Sequence, residues 1–208
     1  MIRIALLLAL LVAPFPGLAQ SENRVVKPEI RKGDRWTYRS VNLPGPGTHE
    51  IESLVTFSDG RTILMVHTFK GNDREMDSSW TAEWNAVKPL GEIVFRPDSG
   101  VFRFPMRVGD RYSVNYDLMR PARSEVDSTT TGTVAVVGWE EVEVPAGRFR
   151  ALRLEMDSLV RPAARPKGFQ RKATYWYAPD VRRWVKSHIT TPQLDASEEL
   201  LSYKLNVD

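Results

Sequence analysis

Apolar side chains in this chain recur mostly at every second position, the period of a strand with one face covered. The clearest instance is a hairpin. Ile51, Val55 and Phe57 share one face, Asp59-Gly60 predicts a type I′ turn, and Ile63, Met65, His67 and Phe69 line the return strand. Trp36 and Tyr38 open an earlier strand after the turn Gly33-Asp34-Arg35. Shorter strands are expected over Ser79–Trp84 and Glu92–Phe95, and the loop Leu43-Pro-Gly-Pro-Gly47 excludes regular structure.

In the second half, Val134 and Val136 alternate along Thr130–Val137, and Val142 and Val144 lead into the tight turn Pro145-Ala-Gly147. Phe149 and Ala151 have one parity while Leu152, Leu154 and Met156 have the other. A one-residue slip exchanges the two faces of a strand, so a bulge is expected near Ala151. Thr174–Tyr177 is dense in β-branched and aromatic residues, Pro179 forces a turn, and Trp184-Val185-Lys186 resumes the strand. Leu201, Tyr203, Leu205 and Val207 predict an alternating final strand.

The total is about ten strands with little helix. No helices are available to cover the sheet's apolar face, so it must curl upon itself. The expected fold is all-β: a curved antiparallel sheet forming an open barrel or a sandwich. Val108-Gly-Asp-Arg-Tyr-Ser113 echoes Lys32-Gly-Asp-Arg-Trp-Thr37, which suggests two duplicated β-meander halves, about 29–100 and 101–208.

The first residues do not belong to this pattern. Arg3, the apolar run Ile4–Ala13 and Gly17-Leu18-Ala19 compose a secretory signal peptide over residues 1–19, with a single domain over 20–208. Periplasmic or secreted localisation follows. The chain has no cysteine, so neither lipid attachment at the cleavage site nor a disulfide is available. Without Arg3 the charges are 28 basic against 26 acidic, a net of +2. That balance gives no basic footprint for nucleic acid.

Four sets of residues invite chemistry. His49, His67 and His188 lack metal-ligand spacing, so no metal or other cofactor is expected; His67, on an apolar face, reads as a core or edge histidine. Asp34 and Asp110 sit in Gly-Asp turns, where aspartate ordinarily bonds its own backbone, and no catalytic residue is assigned. Trp80, Trp84, Trp176 and Trp184 suit either a packed core or a stacking platform for a ligand. Arg161, Arg165, Lys167, Arg171 and Lys172 crowd a loop spanning Arg161–Lys172, a candidate contact for an anionic membrane surface.

Val144-Pro-Ala-Gly-Arg-Phe149, Tyr175-Trp-Tyr-Ala-Pro179, Val185-Lys186, Glu199-Leu-Leu-Ser-Tyr203 and Phe104-Pro-Met-Arg-Val-Gly109 resemble the signature of a family of exported bacterial β domains with no established activity. The resemblance covers the second half well and the first half only in pattern. It implies a curved antiparallel sheet similar to the lipoprotein carriers of the envelope. Arg182 departs from it, because the family has glycine there.

The sequence therefore predicts a non-enzymatic exported envelope protein that binds an apolar or lipid-like ligand. The alternatives are a structural or protein–protein interaction scaffold and a hydrolase acting on envelope glycans.

Overall fold

The computed structural model describes residues 24–206 apart from 73, 121–124 and 166. The proposed signal peptide and Val207 lie outside the described residues. The described residues form fourteen strands, against the roughly ten that the sequence predicts, and contain no α-helix. Twelve strands form one sheet, in the order β6-β5-β4-β3-β2-β14-β13-β12-β11-β10-β9-β7, with every neighbouring pair antiparallel.

The first run of strands is β2 (Arg35–Val41), β3 (Thr48–Ser58), β4 (Thr62–Phe69), β5 (Arg74–Thr81) and the edge strand β6 (Ala86–Lys88). The second comprises the edge strand β7 (Val94–Arg96), β9 (Arg111–Arg120), β10 (Glu125–Val144), β11 (Gly147–Pro162), β12 (Phe169–Ala178), β13 (Arg183–Thr191) and β14 (Leu194–Lys204). Two short strands, β1 (Arg24–Val25) and β8 (Met106–Arg107), pair with each other outside the large sheet.

The sheet curls until its two edges face each other, so the barrel alternative is the one realised. The segment Ser99–Phe104 bridges the gap. Ser99 N–H donates to the Ala86 carbonyl at 2.9 Å, and Asn85 makes reciprocal 2.8 Å bonds to the backbone of Phe102. On the other side the Tyr112 hydroxyl donates to the Val101 carbonyl, and Arg103 Nη2 donates to the Ser113 carbonyl at 2.8 Å. The seam is thus closed by hydrogen bonds from a loop that also buries Val101 and Phe102. Such a loop satisfies edge groups that would otherwise invite another strand.

Several parities differ from expectation, each time at a bulge. The register slip of the β10–β11 pair falls between Val136 and Gly138 of β10, not near Ala151 of β11, so the extra residue is Val137. A slip between Val55 and Phe57 turns Phe57 outward, where it is exposed beside Leu64. Another, between Leu200 and Ser202, makes Leu200 the fully buried residue in place of Leu201, while Tyr203 beyond the slip pairs with Trp36 and is 39% exposed near the end of the strand. The β3–β4 connection is also longer than a two-residue turn. Gly60 is the residue with positive φ (80°), while the Asp59 carboxylate accepts from the N–H groups of Arg61 and Thr62 at 2.9 and 2.7 Å. An aspartate bridging two backbone donors stabilises this wider connection in place of type I′ geometry.

Trp84, expected in a strand, ends a turn between β5 and β6 with φ 65° and is fully buried. The two Gly-Asp turns are built alike. Gly33 N–H donates to the Val55 carbonyl and Gly109 N–H to the Val136 carbonyl, both at 2.9 Å. The Asp34 and Asp110 carboxylates accept from the N–H groups of Arg31 and Arg107 at 3.0 and 2.8 Å.

Candidate functional site, a cavity between an aromatic floor and a basic mouth

Side chains pointing inward meet at two levels. The end of the barrel that carries the Asp34 and Pro179 turns is packed solid with rings. Trp36 stands edge-on to Trp84 at 5.4 Å between centroids, and Trp84 is 6.1 Å from both Trp80 and Trp184. Phe102 stacks on Trp184 at 5.8 Å with 9° between planes. Burial of such rings carries much of a core's stability, and the buried indole N–H groups need partners. Trp36 Nε1 donates to the Val181 carbonyl at 3.0 Å, and Trp84 Nε1 to the Arg182 carbonyl at 2.6 Å. These tryptophans are core, while Trp176 lies on the outer face, donating to Glu140 at 2.7 Å. Tyr175 and Tyr177 accordingly face inward.

Inside this aromatic box is Arg183, only 3% exposed. Its guanidinium carbon lies 4.4 Å from the Trp184 ring centre, 4.7 Å from Trp84, 5.2 Å from Trp36 and Tyr38, and 5.8 Å from Trp80. Ring faces stabilise a desolvated cation by about 2 kcal/mol in favourable cases. They replace the carboxylate that a buried arginine ordinarily requires. No ion pair to Arg183 occurs among the described residues, and its Nε has no hydrogen-bond partner.

Above the floor a cavity of about 310 Å³ remains. Its walls are mostly apolar and aromatic: Ile51, Phe95, Val101, Phe102, Tyr175 and Ile189, with Leu43 and Pro44 of the β2–β3 loop at its mouth. About ten waters would occupy such a volume at roughly 30 Å³ each, and it falls at the small end of ligand pockets, roughly 300–1,000 Å³. A second hollow of about 850 Å³, beside Lys27–Gly33, is more open to solvent, and no buried cation among the described residues lines it.

Few polar groups enter the cavity, and most are satisfied by one another. Glu198 accepts from Ser40 Oγ at 3.1 Å, Trp184 Nε1 at 3.2 Å and Ser187 Oγ at 3.1 Å. The Tyr38 hydroxyl donates to the Trp184 carbonyl, and burial raises its pKa, so it stays a phenol. His67 is 2.8 Å from Ser53 Oγ through Nδ1 and 2.6 Å from Ser78 Oγ through Nε2; Ser78 also accepts from Trp80 Nε1 at 2.8 Å. Burial, and after it the Arg183 cation, push the imidazole pKa down to about 3. A base so weak takes a proton from serine poorly, because general bases work best near the operating pH. The Ser53–His67–Ser78 chain is a satisfied core network, which agrees with the expectation for His67.

The basic residues split into two groups. Arg161 and Pro162 belong to β11 and Phe169–Lys172 to β12, so the connecting loop is only 163–168 and is shorter than expected. Arg161, Arg165, Lys167 and Lys172 are exposed around this end of the barrel. Arg171 is different. It points inward and lines the cavity, with Nη1 3.3 Å from the Tyr116 hydroxyl and 3.8 Å from Met156 Sδ. The sequence placed it in a surface loop because nothing in Arg171-Lys172 marks which side chain points inward. Strand phase decides that, since Ala173, Tyr175 and Tyr177 share the parity of Arg171.

Asp34 and Asp110 stay at their turns. Asp34 is fully buried, accepting from Arg31 N–H and Asn206 N–H and lying 3.7 Å from Arg182. His188 is exposed and 2.7 Å from Asp195. The described residues contain no cluster of ligands suited to a metal ion.

No protein-family model matches the chain, and no curated protein matches it. Among solved structures, one described as a putative lipoprotein from Parabacteroides distasonis ATCC 8503 superposes with a TM-score of 0.51 at 10% identity, over 86% of this chain and 99% of that one. One described as a putative exported protein with a YmcC-like fold, from Bacteroides fragilis NCTC 9343, gives 0.44 at 17% identity over 86% and 99%. The hypothetical lipoprotein YmcC from Escherichia coli K12 gives 0.44 at 13% identity over 81% and 83%. At 10% identity the likeness to the first of these is one of fold: the chain shares its architecture.

Proposed function

We propose that this is an exported, non-enzymatic binding protein of the cell envelope whose barrel takes up an apolar or lipid-like ligand. The observation that carries the reading is the cavity of about 310 Å³, walled by rings and aliphatic side chains and reached past Leu43 and Pro44. Such a cavity with a few polar groups in it is the ordinary form of a small-molecule site. The leader-like segment 1–19 supports export, and the word lipoprotein attached to the Parabacteroides structure is in keeping with an envelope address. Chemistry finds less support, since the Ser53–His67 pair is a poor nucleophile and base. Glu198, the carboxylate lining the cavity, is occupied by three neutral donors.

The exposed Arg161, Arg165, Lys167 and Lys172 surround the same end of the barrel as the cavity mouth. We assign them the role of holding that end toward anionic headgroups, so that ligand passes between bilayer and barrel.

Mass spectrometry of small molecules released on denaturing protein purified from its native envelope tests the binding role. An amphiphile recovered near one per chain is the expected result. A fully delipidated chain that also fails to take up any apolar probe would leave the scaffold reading.

A further inference from the structure

The inside of the barrel is short of negative charge. Among the described residues, Arg171 and Arg183 line the cavity against the single carboxylate of Glu198, and His67 beside them is neutral. Arg183 is enclosed by rings, but Arg171 has no such enclosure and forms no ion pair among the described residues. A guanidinium carries five N–H donors. The partners Arg171 has are weak: a phenol oxygen at 3.3 Å and a thioether at 3.8 Å, and Tyr175 lines the same cavity.

The two phenols sharpen the point. Tyr116 accepts from Arg171, which leaves its own O–H proton to donate, and it donates to no protein acceptor among the described residues. Tyr116 is only 5% exposed, so its proton has little access to bulk water. Arg171 and the two phenols therefore offer N–H and O–H donors to the cavity, and none of the three is bonded to a carboxylate among the described residues. They lie near the mouth. Arg171 is seven residues along β12 from Ala178, the partner of Arg183, or about 23 Å at the rise of a strand.

Resting on the carrier reading above, we infer that the ligand is an amphiphile with one oxyanionic head, carboxylate or phosphate. Arg171, Tyr116 and Tyr175 bind the head near the mouth, and the tail lies over the aromatic floor. Oxyanions pair with a guanidinium through two parallel hydrogen bonds and accept from phenols as well. A neutral alcohol of equal length can use only part of this set.

Calorimetric titration of the full chain with dodecanoate, dodecyl phosphate and dodecan-1-ol tests the inference. At least one anion should bind about tenfold to a hundredfold more tightly than the alcohol, and the tighter of the two identifies the head. Arg171→Gln should erase that preference, and an unchanged far-ultraviolet circular dichroism spectrum shows that the barrel has kept its fold. The double variant Tyr116→Phe/Tyr175→Phe should lower the preference about tenfold, and it decides the matter if Arg171→Gln does not fold. Equal affinity for anion and alcohol, or a preference that survives Arg171→Gln, would overturn the head site and leave the carrier standing. If none of the three binds, the carrier reading fails with it.

Discussion

Arg182 is the residue at which sequence and structure are most openly in tension. It holds φ 59° and ψ 17° at the end of the single turn Pro179–Val181, a left-handed conformation that costs a non-glycine residue about 1–2 kcal/mol. Glycine at this position, as in the family the chain resembles, would remove that cost. Arginine brings side-chain contacts in return: Nη1 reaches the Glu29 carbonyl at 3.0 Å, and the guanidinium faces the buried Asp34. Arg182→Ala keeps the strain and loses the side-chain contacts, whereas Arg182→Gly loses the contacts and relieves the strain. Denaturant unfolding should therefore find the alanine variant less stable than the glycine variant by about 1 kcal/mol. Equal stabilities would mean that the turn is not strained at Arg182.

The same scale shows what a sequence can disclose about a site. The roles of Asp34, Asp110 and His67 were legible because each follows from local rules: turn chemistry in two cases, an apolar strand face in the third. Arg171 was legible only as a charge. That it faces a cavity with Tyr116 depends on β9 lying across the barrel from β12, a contact between residues 55 positions apart.

Among the elements, long stretches of alternation hold in the structure, and the departures fall where a bulge changes parity. Ile63, Met65, His67 and Phe69 on β4 are all buried as predicted. On β14 the slip after Leu200 exchanges the faces, and so Glu198 enters the interior, which alternation counted back from Leu201 and Tyr203 would not place there. A bulge adds one residue without an obligatory composition, which is why pattern alone misplaces it. The β11–β12 connection is the element with the most direct functional prediction. Replacing Arg161, Arg165 and Lys167 together by glutamine should weaken sedimentation with vesicles rich in anionic lipid by about a hundredfold at low salt. Binding of an interior ligand should not change. Vesicle affinity that is indifferent to these substitutions would remove the membrane-facing role of this end.

For the molecule as a whole, the absence of helical periodicity was enough to require a sheet closed on itself. How it closes was not predictable, because Ser99–Phe104 has no strand pattern and acts by bonding to both edges. Nor could composition say whether the interior is filled. Fourteen strands and six tryptophans are compatible with a solid core. The structure shows a solid aromatic floor with a cavity above it, and the account of function depends on that cavity admitting a ligand.

The most direct test is an equilibrium titration with a fluorescent fatty acid, comparing the native chain with Ile189→Trp. Ile189 lines the cavity from β13, and a tryptophan there would fill much of the space without adding charge. The account predicts saturable binding near one probe per chain in the native protein, a thermal midpoint that rises with probe concentration, and loss of both in Ile189→Trp with the fold retained. Binding that fails to saturate, or that persists undiminished in a folded Ile189→Trp, would contradict it.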